Sequence, residues 1–193
     1  MIAWIKTISP SDATGDLVNA YEMATTSHGT VDNVMQVHSL RPHTMAGHIA
    51  LYKAALHHPE NTLPKWFLEA VAVYTSVLNE CPYSLAHHIQ NLQSLVGEEG
   101  AHGAKLTALT GRRPEDAFNG KHLALLRYTE KLTLNVAKID ESDIAALREA
   151  GADDGEILET NQVCGYFNYV NRLLNGLGVS TDGDVIGAYA KQN

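Results

Sequence analysis

Three residues with chemically capable side chains, Cys81, Ser84 and His88, are spaced three and four residues apart along the chain. In an α-helix this spacing places them within about 60° of one another, on a single face. Pro82 fits the first turn of such a helix and puts Cys81 at its start, where free backbone N–H groups and the helix dipole stabilise an anion. We therefore predict a lowered pKa for Cys81 and a reactive thiolate at this position.

Glu69 is the carboxylate that could act together with this face. It lies on the helix that precedes Cys81, and that helix should return antiparallel after a short turn, which brings Glu69 to the ring of His88. A carboxylate there would tune the basicity of His88, whereas His87 falls about 120° away and is less suited. The structural alternative stays open, because a single cysteine on a helix is commonly a small buried hydrophobe.

The elements that must position these residues are helices. Apolar residues recur at intervals of three or four on both sides of the turn, which is the period of an amphipathic helix. They are Phe67, Val71, Tyr74 and Leu78 before it, and Leu85, Ile89, Leu92 and Val96 after it. No alternating run of β-branched residues is bounded by hairpin turns. The sequence predicts an all-α fold of about eight helices without a significant sheet, in one domain over residues 1–193 with the motif core at about 60–112.

Composition narrows the class of protein. With 45% hydrophobic and 19% charged residues among 193, the chain has the material for a packed core. A net charge of −8 without a basic stripe argues against nucleic acid as a partner. Apolar runs fall short of the roughly 18 residues that span a bilayer, so no membrane partner is expected either. Two cysteines cannot form a secreted disulfide framework, and we expect a cytoplasmic protein with reduced thiols.

Ten histidines raise the question of a metal site. His38, His43 and His48 are five residues apart and would point in different directions around a helix, whereas zinc-binding helices use pairs four apart. Neighbouring histidines such as His87 and His88 also point apart. We expect no metal and no cofactor.

The motif resembles a known family signature. Glu69-x11-Cys81-x2-Ser84-x3-His88 is similar to the Glu-x11-Cys-x2-Cys-x3-His pattern of the alkyl hydroperoxidase D (AhpD)-like branch of the carboxymuconolactone decarboxylase family, and in particular of its longer peroxidase-related members. The resemblance extends over about residues 30–178. Its flanks include Val37-His38-Ser39-Leu40-Arg41-Pro42, Asn79-x-Cys81-x-Tyr83 and Phe167-Asn168-x3-Arg172-Leu173. It implies an all-helical AhpD-like fold and a homo-oligomer.

The resemblance also implies a redox role that this sequence cannot fulfil in full. In the family the second motif cysteine attacks peroxide, the first resolves the sulfenic acid into a disulfide, and the glutamate and histidine relay protons. Glu69, Cys81 and His88 match these positions, but Ser84 stands where the attacking cysteine belongs. A hydroxyl forms neither a sulfenic acid nor a disulfide, so the two-cysteine cycle is impossible within this motif.

Three functional hypotheses follow, of which the first is favoured because Cys81 keeps its position at the start of the helix. The first is a peroxidase-like oxidoreductase in which Cys81 attacks an organic hydroperoxide and an external thiol reduces the product. Cys164 could then serve as a distant resolving cysteine, although its aromatic neighbours favour a buried apolar role. The second is an acid–base enzyme on a small organic acid, with His88 as acid or base, Glu69 orienting it and Ser84 donating a hydrogen bond to the substrate. The third is a non-catalytic oligomeric binding protein.

Overall fold

The described part of the chain forms nine α-helices and three short 3-10 turns. The computed structural model describes residues 1–96 and 101–187, and over these residues it contains no β-strand. The helices are α1 (Asp16–Ala24), α2 (Asn33–Gln36), α3 (Pro42–Leu56), α4 (Lys65–Leu78), α5 (Pro82–Val96), α6 (Ala101–Thr110), α7 (Gly120–Leu134), α8 (Glu141–Glu149) and α9 (Asp154–Leu177). The expected all-α fold is confirmed, and the additional helix is the single turn α2. None of the described helices is both long and apolar enough to cross a membrane.

Helix α4 forms the centre of the molecule. Every residue from Phe67 to Leu78 is buried, because α5, α7 and α9 pack around it and the short α6 adds a further contact. The helix is almost entirely Ala, Val, Leu and aromatic residues, so burial on all sides removes apolar surface from water, which is the main stabilising contribution to folding. Glu69 is the one charged residue within this buried stretch.

A tight turn joins α4 to α5. Glu80 adopts a positive φ of 51°, and the amide of Cys81 donates to the carbonyl of Ser76 at 3.0 Å, which reverses the chain within three residues. The carbonyl of Cys81 in turn accepts the amide of Leu85 at 3.0 Å, so Cys81 precedes the first turn of α5 as predicted. Because the two helices run antiparallel, the first half of α4 faces the middle of α5.

Helix α9 crosses the core as the longest element. A capping box starts it, since the side chain of Asp153 accepts the amide of Glu156 at 2.8 Å and Glu156 accepts the amide of Asp153 at 3.1 Å. Gly178 ends it in the left-handed conformation, with φ 59°. The chain then returns towards the α2 region, where Asp184 accepts the backbone amide of Asn33 at 2.9 Å. This return places residues 180–187 beside α5.

Candidate active site

Glu69 and His88 form a buried pair across the α4–α5 interface. Oε2 of Glu69 lies 2.7 Å from Nδ1 of His88, and Oε1 accepts the side-chain amide of Asn91 at 3.3 Å. The glutamate has no exposed surface. The edge of the Phe167 ring also packs against the His88 ring, with centroids 4.6 Å apart, which fixes its orientation. The Glu69–His88 contact expected from the antiparallel helices is therefore present.

This pairing determines which nitrogen of His88 is available for chemistry. A carboxylate accepts hydrogen bonds, so Nδ1 of a neutral His88 carries the hydrogen and Nε2 keeps its lone pair. A charged partner behind the ring also stabilises the imidazolium that forms when Nε2 takes a proton. His88 is consequently arranged as a base supported by Glu69.

His88 lies in the wall of a cavity of about 260 Å³. Helix α5 contributes Ser84 and His88, α9 contributes Tyr166, and the chain between α1 and α2 contributes the opposite side. Much of the remaining wall is apolar and consists of Met23, Met35, Ile49, Val170, Leu174 and Val185. The space is sufficient for a small organic molecule, and Ser84 and His88 share it.

Two of the four predicted site residues, Cys81 and Glu69, lie outside the described cavity wall, and of these Cys81 was expected to meet the substrate directly. Its side chain has no exposed surface, and it is not part of the described cavity wall. Burial raises the pKa of the Cys81 thiol, although hydrogen bonds from the backbone amides of Ser84 and Tyr83 act in the opposite direction. The predicted lowering of this pKa is wrong, because the loss of hydration outweighs the favourable field at the helix start.

Ser84 is held by a partner that the sequence analysis missed. Its hydroxyl oxygen lies 2.8 Å from that of Ser76, which itself donates to the carbonyl of Ala72 at 2.8 Å. Since Ser76 has a single hydrogen, Ser84 is the donor in their contact. That Ser84 donates a hydrogen bond to a substrate stays a prediction, and in the structure its hydroxyl contacts that of Ser76.

Cys164 lies on α9 away from this site. It is fully buried, its sulfur lies 3.3 Å from the hydroxyl of Thr133, and burial raises the pKa of its thiol. The expected burial of Cys164 is confirmed, and its sulfur also contacts polar groups, including the side-chain amide of Asn168 at 3.4 Å. Its role as a distant resolving cysteine stays a prediction.

A second buried array reaches the cavity through Tyr166. Nε2 of His38 lies 3.0 Å from Nδ1 of His48, and Nε2 of His48 lies 2.8 Å from the hydroxyl of Tyr166. Burial lowers the pKa of His38, and it lowers that of His48 to about 3, so both rings are neutral near pH 7. The expectation that His38 and His48 point apart on one helix is wrong, because α3 begins only at Pro42 and His38 precedes it.

A third group of polar residues closes the cavity near the end of the described chain. Tyr83 donates a hydrogen bond to Asp184, and the ring of His87 stacks on that of Tyr83 with centroids 4.8 Å apart. His87, considered the less suited histidine, thus also lines the cavity. Burial raises the pKa of the nearby Asp32 carboxyl, and the charge of Asp184 adds to this effect. Within the described residues, no three His, Cys, Asp or Glu side chains are placed to hold a metal ion.

No protein-family model matches the sequence, and no curated protein matches it. Solved structures are similar to it along its length. One is the alkylhydroperoxidase AhpD core of an uncharacterized peroxidase-related protein from Ralstonia eutropha JMP134, with a TM-score of 0.80 and 20% identity over 100% of this chain and 99% of that one. Another is an uncharacterized peroxidase-related protein from Silicibacter sp. TM1040, with a TM-score of 0.79 and 23% identity over 95% of this chain and 93% of that one.

The debrominase Bmp8 is also similar, with a TM-score of 0.69 and 16% identity over 95% of this chain and 92% of that one. The chain therefore has the AhpD-like fold, as the resemblance in sequence predicted. Proteins of this fold include peroxidase-related proteins and a debrominase. At such identities the likeness establishes the fold, and the reaction has to be argued from the residues around the cavity.

Proposed function

We propose that this protein is an acid–base enzyme that transfers a proton to or from a small organic molecule, with His88 as the group that exchanges the proton. The observation that carries the proposal is the 2.7 Å contact between Nδ1 of His88 and Oε2 of Glu69, in the wall of a cavity that Cys81 does not reach. This arrangement favours the acid–base hypothesis over the thiol hypothesis.

The chemistry needs no external oxidant or reductant. Nε2 of His88 accepts a proton from the substrate, and the resulting imidazolium is stabilised by the carboxylate of Glu69. The substrate anion then takes the proton back at a different atom, which gives an isomer. The mainly apolar cavity wall limits water around the exchanging proton, which strengthens the electrostatic effect of Glu69.

A screen of lactones and other uncharged molecules that carry an exchangeable proton, followed by proton exchange with deuterated solvent, tests the proposal. We expect turnover by the wild type and a loss of about 100-fold or more in His88→Gln, because general acid–base groups typically contribute this much. His43→Gln is the matched control, since His43 is exposed on α3. Equal turnover by the wild type and His88→Gln contradicts the proposal.

Thiol chemistry remains the second candidate because of one specific observation. The sulfur of Cys81 accepts hydrogen bonds from the amides of Ser84 and Tyr83, an arrangement that stabilises a thiolate once the sulfur meets a reactant. Among proteins of this fold, a debrominase has been solved as a Cys-to-Ala variant in complex with 2,3,4-tribromopyrrole. For peroxide chemistry, Cys81 would attack the O–O bond and form a sulfenic acid with release of an alcohol, and an external thiol would reduce it.

Mass spectrometry after a stoichiometric pulse of organic hydroperoxide separates the two candidates. The acid–base proposal expects no oxygen on Cys81 or Cys164 within minutes, since neither sulfur is exposed. Rapid oxidation of Cys81 in the wild type, together with unchanged proton exchange in His88→Gln, would instead favour the thiol candidate.

A further inference from the structure

Three hydroxyl groups in the cavity wall each direct their single hydrogen to an acceptor in the protein and not into the cavity. They belong to Tyr83, Ser84 and Tyr166. A hydroxyl whose hydrogen is engaged can still accept a hydrogen bond through its oxygen. The direction of these hydrogens therefore determines what kind of group the cavity can bind.

The hydrogen of Tyr166 is fixed by a chain that begins near the surface. Thr44 donates to the carbonyl of Arg41 at 2.8 Å, so its oxygen must accept the hydrogen on Nδ1 of His38, 2.7 Å away. With His38 neutral, its Nε2 accepts from Nδ1 of His48. With His48 neutral as well, its Nε2 accepts from the hydroxyl of Tyr166. For neutral rings, this is the arrangement that satisfies all four contacts at once.

The other two hydroxyl groups also donate their hydrogen to an acceptor in the protein. Tyr83 donates to the carboxylate of Asp184 and already accepts the amide of Val34 at 3.1 Å. Ser84 donates to Ser76, whose own hydrogen is used by the backbone. Both residues belong to the cavity wall. Because Val34 already uses the Tyr83 oxygen as an acceptor, Ser84 is the one of the two that can offer a lone pair to a bound molecule.

The remaining groups reinforce this pattern. Nε2 of His88 carries a lone pair because Nδ1 holds the hydrogen that Glu69 accepts. Asp32 lines the cavity, and its Oδ1 is buried without a hydrogen-bond partner among the described residues. Lys53 is the cationic residue in the described wall, and its side chain belongs to an exposed position on α3. His87 in the same wall adds a donor, because its Nδ1 accepts the amide of Gly187 at 3.4 Å and Nε2 of the neutral ring then carries the hydrogen. Beside this donor, the interior presents several lone pairs and carboxylates to whatever enters.

We propose that the cavity selects an uncharged small molecule through an acidic O–H or N–H group, as in a phenol or an azole, and discriminates against carboxylates. The wall would accept that hydrogen at Tyr166, Ser84 or His88, whereas a carboxylate would meet lone pairs and negative charge. This inference rests on the proposed function in one respect, since it names the substrate class for the site of His88.

Calorimetric titration of the full chain with three matched probes tests the selectivity. The probes are para-cresol, its methyl ether and para-toluate, which share one ring and differ in the polar group. We expect para-cresol to bind about fivefold or more tightly than the ether, as one hydrogen bond is worth, and the carboxylate to bind most weakly. Binding of the ether or the carboxylate as tight as that of para-cresol overturns the inference, as does a failure of para-cresol to bind at millimolar concentration.

Variants identify the residue that gives the preference for para-cresol over its methyl ether. Tyr166→Phe should reduce the ratio between para-cresol and its ether by about fivefold, because it removes one acceptor. Tyr169→Phe is the control, since Tyr169 touches the same His48 ring but is partly exposed and is not in the described wall. An unchanged ratio in Tyr166→Phe contradicts the role of this residue.

Nitrogen NMR of the imidazole rings of the wild type supplies a measurement that no variant can confound by misfolding. Hydrogen on Nδ1 of both His38 and His48 is expected, and hydrogen on Nε2 of His48 would overturn the inference. Because binding needs no turnover, the two proposals can fail separately. A preference for para-cresol without proton exchange on any substrate defeats the proposed function alone, and exchange on a carboxylate without that preference defeats the selectivity alone.

Discussion

Glu69 and His88 are 19 residues apart in the chain and lie side by side in the core, with 2.7 Å between Oε2 and Nδ1. The carboxylate is wholly enclosed, yet two neighbouring side chains satisfy its oxygens, His88 and Asn91. An enclosed charge without such partners would cost several kcal/mol. The stability of an ionised Glu69 in the core therefore depends on the orientation of His88.

Replacing Glu69 by glutamine should change the hydrogen position on His88. The amide can present its NH2 group to Nδ1, which favours the tautomer with hydrogen on Nε2 and removes the lone pair of that nitrogen. We expect nitrogen NMR to report Nδ1–H in the wild type and a shift towards Nε2–H in Glu69→Gln. Glu60→Gln, at an exposed position, is the control and should leave the tautomer as it is.

Neither cysteine should react quickly in the folded protein. Both thiols lack exposed surface and burial raises the pKa of each, so few thiolates form and reagents have no access. A dimedone-type probe after peroxide, and a thiol-alkylating reagent without it, should label Cys81 and Cys164 slowly in buffer and rapidly in denaturant. Labelling of Cys81 at the same rate in both conditions would show that the sulfur reaches solvent in the native state.

Ser84→Cys should create peroxide reactivity at position 84. Residue 84 lines the cavity, so its sulfur could attack a hydroperoxide, release an alcohol and form a sulfenic acid. Cys81, three residues earlier, could then form the disulfide with release of water. We expect peroxide consumption in the presence of an external thiol by Ser84→Cys, and none by Ser94→Cys, whose position is an exposed one on the same helix. Inactive Ser84→Cys with a native circular-dichroism spectrum would argue against this position as the reactive one.

Stability should fall as the pH is lowered from about 6.5 towards 4.5. Burial lowers the pKa of His48 to about 3 and that of His57 to about 4, whereas both titrate near 6.5 in the unfolded chain. The unfolded state therefore binds more protons in this window, and each group contributes up to about 1.4 kcal/mol per pH unit, with no contribution above the window. Urea titrations at several pH values should show this slope, reduced in His48→Gln and retained in His43→Gln.

Phe167→Ala should destabilise the protein and loosen His88. The ring has no exposed surface and packs on both His88 and Tyr166, with centroids 4.6 Å and 5.0 Å away. Truncating a buried phenylalanine typically costs about 3–5 kcal/mol, which denaturant unfolding can measure. Leu158→Ala on the same helix is the control, because Leu158 is 59% exposed and the change should cost about 0.5 kcal/mol or less.

Local patterns in the sequence were sufficient to predict the helices and the contact between Glu69 and His88. The apolar period around the turn predicted α4 and α5, and the antiparallel return predicted the contact between Glu69 and His88. These features depend on residues near one another in the chain, where helix geometry alone sets the spacing. The likeness of the motif to AhpD-like proteins predicted the fold.

Such local patterns could not predict how deeply a side chain is buried or which residues far apart in the chain are in contact. The N-terminal position of Cys81 suggested a low pKa, but the depth of the thiol depends on how α5 packs, which no local spacing records. His48 and Tyr166 meet across 118 residues, and Tyr83 and Asp184 across 101. The resemblance at Val37–Pro42 placed His38 in a segment shared with AhpD-like proteins. Its contact with His48 on α3 could be recognised only from the structure, in which α3 begins at Pro42, after His38.

Helix α4 has almost no surface of its own between Phe67 and Leu78, and this limits how the protein can diversify. A substitution beside Glu69 disturbs the packing of several helices at once. The need to fold therefore restricts Glu69 and its surroundings even where the reaction would allow a change. Variation that alters ligand preference has room on the opposite wall of the cavity, in the more exposed chain between α1 and α2. Related proteins that share α4 can therefore differ widely in what they bind.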